Sequence, residues 1–351
     1  MDKKNTILGI LFIGAALYLM PYLQMQQPPA PQPAAEESPT QTAGGEAARS
    51  LSEATNAVAD GGNRTPGPAA SLATMEQGEA KAPEQTFVQP SNGYIEVEFT
   101  SHGGGIKKVS FLQFDEALDS DEPYIFNNFE NPSLGLDFLE ADRLGREGPV
   151  SHVYDYKLEL NENGTVVFST ELKDLGLRIV RGYTIVTAQD TEVDGKPDPY
   201  LIKHQTRIIN MTDRPVAVPD MYLNLGALRP TEGDIYGQYQ NVAHYIDGKA
   251  TFIQINRLTG SSGFLGFGQR PEVDNIHQEI SGIEWLSVKN QFFTGLLTPR
   301  GDAKIDGYYI DKIDLGSVGP QGRENYAMRA RALFEVGVIP AGGERLINAD
   351  Y

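Results

Sequence analysis

Tyr94-Ile95-Glu96-Val97-Glu98-Phe99 alternates apolar and acidic residues without a break. Side chains of an extended chain point to opposite faces in turn, so this run describes a strand with one buried and one wet face. Tyr154-Asp155-Tyr156-Lys157-Leu158-Glu159-Leu160 repeats the pattern. Residues 165–170, 178–186, 201–210, 251–255, 285–297, 308–310 and 326–336 are further strand candidates, rich in β-branched and aromatic residues. Asn163-Gly164, Asp194-Gly195 and Asp247-Gly248 fall between such runs. Their tolerance of positive φ predicts tight hairpin turns. Long helical periodicities are scarce, so residues 89–351 read as one all-β domain, a large antiparallel sandwich or barrel.

Upstream of this domain the composition changes twice. Residues 24–88 are dominated by Pro, Ala, Gly, Ser, Thr, Gln and Glu, with no aromatic residue between Tyr22 and Phe87. So little apolar surface cannot offset the entropy of ordering, and the segment is expected to be a disordered tether, semi-extended where Pro is dense. Residues 7–23 form an uncharged apolar run preceded by Lys3 and Lys4. Its length matches the shortest membrane-spanning helices, roughly 17 to 25 residues, and the flanking lysines place residues 1–6 in the cytoplasm. A cleaved signal peptide has a shorter apolar core, about 7 to 15 residues, and a small-residue cleavage site, whereas bulky Tyr18 to Gln24 close this one. The expectation is an uncleaved helix that anchors an extracytoplasmic domain to a bacterial inner membrane. The chain has no cysteine, which excludes a lipid-modified cysteine and a disulfide scaffold.

Charge and motif content exclude several functional classes. A net charge of −18 without a basic cluster repels phosphates, so neither nucleic acid nor an anionic lipid surface is an expected partner. The five histidines, His102, His152, His204, His244 and His277, lack the spacing of a local metal site. Asp190 to Leu201 imitates a calcium loop but ends in Leu201 where a bidentate Glu is required, and reads as a polar hairpin connection. Gly103-Gly104-Gly105 is followed by Ile106-Lys107-Lys108-Val109 rather than a phosphate-loop ending, and reads as a turn between strands. The acidic stretch Asp115 to Glu122 reads as a solvated loop. No nucleophile elbow is present, and no paired-carboxylate motif stands above the acidic background. On motifs alone no catalytic, cofactor-binding or metal-ligating residue is assigned, no cofactor is expected, and the chain reads as a non-enzyme.

Several segments occur in an order that resembles a known family. They are the N-terminal run Met1 to Ile10, the long tether, Ile95 to Phe111, Thr206-Arg207-Ile208-Ile209-Asn210-Met211-Thr212, and Trp285 to Pro299. Together they resemble the N-terminal half of the YidC/Oxa/Alb membrane protein insertases. The resemblance implies a transmembrane helix followed by a galactose mutarotase-like β-supersandwich. It also implies partners: Sec translocon components, nascent membrane proteins, and the bilayer through residues 7–23. It further implies that the family's membrane bundle would follow Tyr351, so that this chain is a fragment and no groove residue carries over. A reading from a different class is a membrane-tethered carbohydrate-binding or mutarotase-like protein. That chemistry needs a carboxylate base and a histidine acid, with His204 or His244 beside a Glu as candidates. A third is a structural envelope protein that pairs a partner along a sheet edge.

Overall fold

A computed structural model of the chain describes residues 51–52, 54–56, 85–141, 147–151, 154–187, 192–193, 196–234, 236–260, 269–318 and 324–351. All of them lie in the compact unit Ala43–Tyr351. The expected span at 7–23, residues 1–6 and most of the tether fall outside the described residues. Among the described residues no helix is long and apolar enough to cross a membrane.

The architecture is all-β. A four-stranded sheet runs β1 (Phe87–Val88), β2 (Ile95–Thr100), β3 (Gly105–Asp115) and β4 (Pro123–Phe126) in that order. A nine-stranded sheet runs β16 (Lys249–Gln254), β15 (Asn241–Ile246), β18 (Trp285–Lys289), β19 (Thr294–Arg300), β23 (Glu344–Asp350), β12 (Ile202–Asn210), β9 (Leu177–Ile185), β8 (Thr165–Leu172) and β7 (Lys157–Glu162). A six-stranded sheet runs β17 (Asn275–Ile283), β20 (Ile305–Val318), β21 (Glu324–Phe334), β14 (Met221–Leu228), β5 (Leu136–Ala141) and β6 (Glu147–Ser151). Two short ribbons, β10 (Glu192–Val193) with β11 (Lys196–Pro197) and β13 (Val216–Val218) with β22 (Gly337–Ile339), complete it. Among the described residues every strand pairing is antiparallel.

One apolar cluster joins the three large sheets: Val97 and Phe99 from the four-stranded sheet, Phe168, Ile179 and Tyr183 from the nine-stranded, Leu223 and Ile310 from the six-stranded. The alternation of β2 is the cause, since Ile95, Val97 and Phe99 all enter this core while Glu96 and Glu98 lie on the other face. Burying such a side chain contributes about 1.5 to 3 kcal/mol, which drives the sheets together.

Turn chemistry follows the residues. Asn163 and Gly164 take φ of 51° and 73°, and Asp247 and Gly248 take 49° and 77°, as tight hairpins require. Residues 285–297 differ from the single strand expected. They form the hairpin β18–β19, reversed where the Asn290 Oδ1 accepts the N–H groups of Phe292 (3.1 Å) and Phe293 (2.9 Å). An Asn side chain makes the turn without Gly or Pro, and so leaves no break in the apolar pattern. Within the segment expected as a tether, residues 51, 52 and 54–56 are helical, and β1 pairs with β2.

Candidate functional site

Direct strand partners share a sheet face, so the register of the six-stranded sheet fixes what its two faces carry. Asp137 lies opposite Tyr222, Asn224 opposite Arg331, Arg331 opposite Tyr309, Tyr309 opposite His277, and Arg329 opposite Asp311. These residues, with Glu279 two positions beyond His277, occupy one face. The other face carries Leu223, Phe138, Ile310, Ala330 and Ala332 into the core. The face away from the core is therefore polar and aromatic rather than simply wet.

That face is curled into a trough. Four strand spacings separate β20 from β6, about 19 Å in a flat sheet. Yet a Cβ placed on Gly148 of β6 would lie 3.4 Å from the Tyr309 hydroxyl. Across three strand spacings, the Tyr222 hydroxyl comes within 3.3 Å of His277 Nε2. The Tyr309 ring is the centre: its centroid lies 6.4 Å from that of Tyr222 and 6.0 Å from that of His277. The Arg331 guanidinium carbon sits 5.5 Å from the same ring.

Charges beneath the rings are paired. Arg331 donates from Nε to Asp137 Oδ2 at 2.5 Å, and its Nη1 stands 3.1 Å from Asp311 Oδ2. Arg329 grips Asp311 with two bonds of 2.9 and 2.6 Å, and the Ser151 hydroxyl donates to Asp137 Oδ1 at 2.8 Å. Burial alone would raise the Asp311 carboxyl, but the Arg329 hydrogen bonds and the Arg331 and Arg329 charges outweigh it and hold it below its ordinary range. Arg331 is raised against the opposing effect of burial by the same carboxylates. Desolvation, with Asp220 and Glu279 nearby, pushes the Tyr222 phenol to about 12. Desolvation, reinforced by Asp311, also raises Tyr309. Both phenols are thus hydroxyl donors at neutral pH. His277 and Glu279 are exposed at the rim on edge strand β17.

The histidines singled out from sequence lie elsewhere. His204 on β12 is buried against the main core, stacked on Tyr183 with ring centroids 4.7 Å apart. Its Nδ1 donates to the Gly182 carbonyl (3.1 Å) and its Nε2 accepts from the Thr206 hydroxyl (2.8 Å). Burial, then the neighbouring Arg181 charge, drive its pKa well below the ordinary range, so it is a neutral structural group. His244 on β15 stacks on Tyr308 at 5.1 Å and is also lowered by burial. Among the described residues no Glu hydrogen-bonds either ring. The acid–base pair expected around His204 or His244 is therefore not formed there.

The weaker motifs resolve as structure. Gly103 and Gly104, with φ of 79° and 55°, make the turn from β2 to β3, and a Cβ on Gly104 would fall 2.6 Å from the Tyr156 ring. Within the calcium-like segment, β10 and β11 pair as a short antiparallel ribbon. Residues 115–122 join β3 to β4, closed by the Glu116 N–H to Glu122 carbonyl bond of 2.9 Å.

Comparison with known proteins comes from structures alone, since no family model and no curated protein matches the chain. A galactose mutarotase related enzyme from Lactobacillus acidophilus is 11% identical, with 76% of this chain and 96% of that one covered at a TM-score of 0.44. A galactose mutarotase-like protein from Lactobacillus casei is 9% identical over 75% of this chain and 98% of that one, TM-score 0.47. An α-galactosidase from Geobacillus stearothermophilus is 9% identical over 76% of this chain and 40% of that one, TM-score 0.33. At such identity residue roles do not transfer between proteins.

These findings correct three expectations. The insertase resemblance is overturned: no family model matches, and the similar structures named here are described as mutarotase-related or galactosidase proteins. Its motifs have local causes instead. The 95–111 pair is a hairpin on a glycine turn, Thr206 to Ile209 occupy the middle of the nine-stranded sheet, and Trp285 to Pro299 form an asparagine-turned hairpin. Such segments fit many β domains. The assignment as membrane protein insertase and transport chaperone falls with the resemblance. The non-enzyme reading rested on absent motifs alone and is withdrawn; the similar structures are described as a galactose mutarotase related enzyme and an α-galactosidase.

Proposed function

We propose that the chain is a membrane-tethered carbohydrate-binding protein whose site is the trough of the six-stranded sheet. The observation that carries this is the convergence of the Tyr309, Tyr222 and His277 rings over two paired arginines. Sugar rings present apolar C–H faces and equatorial hydroxyls. Aromatic faces suit the first, and planar, charge-fixed donors and acceptors suit the second. The buried ion pairs of Arg331 and Asp137 hold the floor rigid, so the half-buried Tyr309 and exposed His277 and Glu279 that would meet the sugar stand on a fixed support and little entropy is lost on binding. The membrane anchor is the apolar run 7–23, a reading that rests on its length and lack of charge. Titration of the chain with a panel of aldohexoses, followed by calorimetry, tests the site. Saturable heat abolished by Tyr309→Ala supports it, and no saturable heat from any sugar refutes it.

A second reading, anomer interconversion, is favoured by His277 and Glu279 standing two residues apart on one rim. The Glu279 carboxylate takes the proton of the C1 hydroxyl as the C1–O5 bond breaks. His277, hydrogen-bonded to Tyr222, gives a proton to O5. Rotation about C1–C2 and the reverse transfers return the other anomer with no net proton change. Polarimetry of freshly dissolved α-anomers decides it: optical rotation relaxing no faster than in buffer would remove this step and leave binding intact.

A further inference from the structure

The nine-stranded sheet turns a second constructed surface away from the core. Val167 of β8, Val180 of β9 and Ile209 of β12 form their own small apolar cluster there, with Ala54, Leu160 and Met211 packed on it. Residues 51, 52 and 54–56 lie across this strip. Leu51 is 3% exposed and Thr55 is fully buried. The Thr55 hydroxyl donates to Gln205 Oε1, and Gln205 Nε2 donates to the Ser52 hydroxyl at 3.2 Å. Arg207 donates to Asn56 Oδ1 and to Glu344 Oε2, the latter at 2.5 Å. Gln205 also donates to Asn348 Oδ1 at 2.8 Å, so the surface spans β12 and β23.

Gly182 shows that the sheet is shaped for this contact. It lies in the middle of β9, a strand buried at every position. Glycine weakens a strand interior relative to alanine, so its presence there needs a reason. Backbone conformation is not that reason, because Gly182 is absent from the positive-φ glycines. Space is: a Cβ there would meet Thr55 Cγ2 at 2.4 Å and Leu51 Cδ1 at 2.5 Å, and the third nearest atom is again from Leu51. The sheet thins by one side chain where the helix sits.

We infer that the outer face of β8, β9, β12 and β23 is a docking groove for a helical turn, and that residues 51, 52 and 54–56 are its resident, detachable occupant. Most helical stability in proteins comes from packing of one face, here Leu51, Ala54 and Thr55 against the sheet, so the described turn depends on docking. Residues 57–84 link it to β1, which makes docking intramolecular and gives the clasp a high effective concentration. The groove reads a leucine, a small residue three positions on and a hydroxyl four positions on. A partner helix with that spacing would compete for it.

Hydrogen exchange of the full chain, read by mass spectrometry over residues 50–57, tests the inference with wild type, Gly182→Ala and Leu51→Asp. Both variants are expected to speed exchange of this segment about tenfold or more while the amides of β12 keep their protection. Wild-type exchange as fast as that of Leu51→Asp, or unchanged protection in Gly182→Ala, would overturn it. Leu51 lies outside the sheet, so a folding failure of Gly182→Ala leaves that comparison standing. A fluorescent peptide of residues 46–60 completes the test. Saturable binding to the Leu51→Asp chain, lost when Gly182→Ala is added, supports a groove. No binding, or binding indifferent to Gly182, counts against it.

Discussion

Arg181 and Arg331 are both buried, and the company each keeps separates the interior of this protein from its trough. Arg181, on the core face of β9, donates to the Gly103 carbonyl (3.2 Å) and to the Leu134 carbonyl, with its Nε left without a partner. Its partners are neutral, and what it fastens is the glycine turn and the β4–β5 connection against the nine-stranded sheet. Arg331 is held by two carboxylates beneath an open face. The first arrangement closes space around a cation. The second leaves a rigid charged floor directly beneath the half-buried Tyr309 ring, and the same residue type meets neutral partners in one place and carboxylates in the other.

The contrast can be broken most forcefully at Arg331. Arg331→Met leaves Asp137, whose side chain is 4% exposed, with a buried charge and one hydroxyl partner. Removing one member of a buried ion pair costs about 3 to 5 kcal/mol, so the urea midpoint should fall substantially. Arg181→Met strands two carbonyls but no charge, and its loss should be smaller, about 1 to 3 kcal/mol. Equal losses at the two sites would erase the distinction drawn here.

Acid sharpens it further. The His204 pKa is lowered in the folded protein, while the unfolded side chain titrates near 6.5. The unfolded state therefore takes up protons first as pH drops below about 6.5, and folding stability declines with it. Above that pH the contribution is present in full. His244 acts with the same sign. Asp311 is also lowered, so its contribution is complete above its ordinary 3.8 and is lost only in stronger acid. Denaturation midpoints between pH 7 and 5 should thus fall in wild type and fall less in His204→Gln. A slope unchanged by that substitution would show that His204 is not the buried neutral group described.

The smallest effect on stability is expected at the rim. His277→Gln removes an exposed ring with one long hydrogen bond, and the thermal midpoint should move by no more than the equivalent of about 0.5 kcal/mol. Sugar binding should weaken in the same variant. A large stability loss with unaltered binding would assign His277 to the scaffold instead.

The β class was legible because strands such as β2 alternate and because Asn163-Gly164 and Asp247-Gly248 announce their turns. Strands without that signature were not. All eight residues of β14 are buried, so Met221 to Leu228 carry no alternation to read. The trough is assembled from β5, β14, β17, β20 and β21, most of them among the strands not recognised, and its residues stand far apart in the chain. Asp137 and Arg331 become neighbours only through sheet order. One local trace existed: Asn275-Ile276-His277-Gln278-Glu279-Ile280 places three polar side chains on one face of a strand. The dispersed histidines drew attention to His204 and His244 instead, since sequence does not reveal which ring the core will enclose.

The position of β23 carries a consequence for how the protein is made. This strand lies between β19 and β12, paired with Thr298 to Arg300 on one side and with Lys203 to Ile209 on the other. Until residue 350 has left the ribosome, the nine-stranded sheet remains two separate ribbons with unsatisfied edges facing each other. Closure then requires β12 to pair with a strand more than a hundred residues later in the chain, and such pairings are slow to form. During that interval the open edges are vulnerable to pairing with other chains. A holding factor during synthesis would matter more for this fold than its final stability suggests.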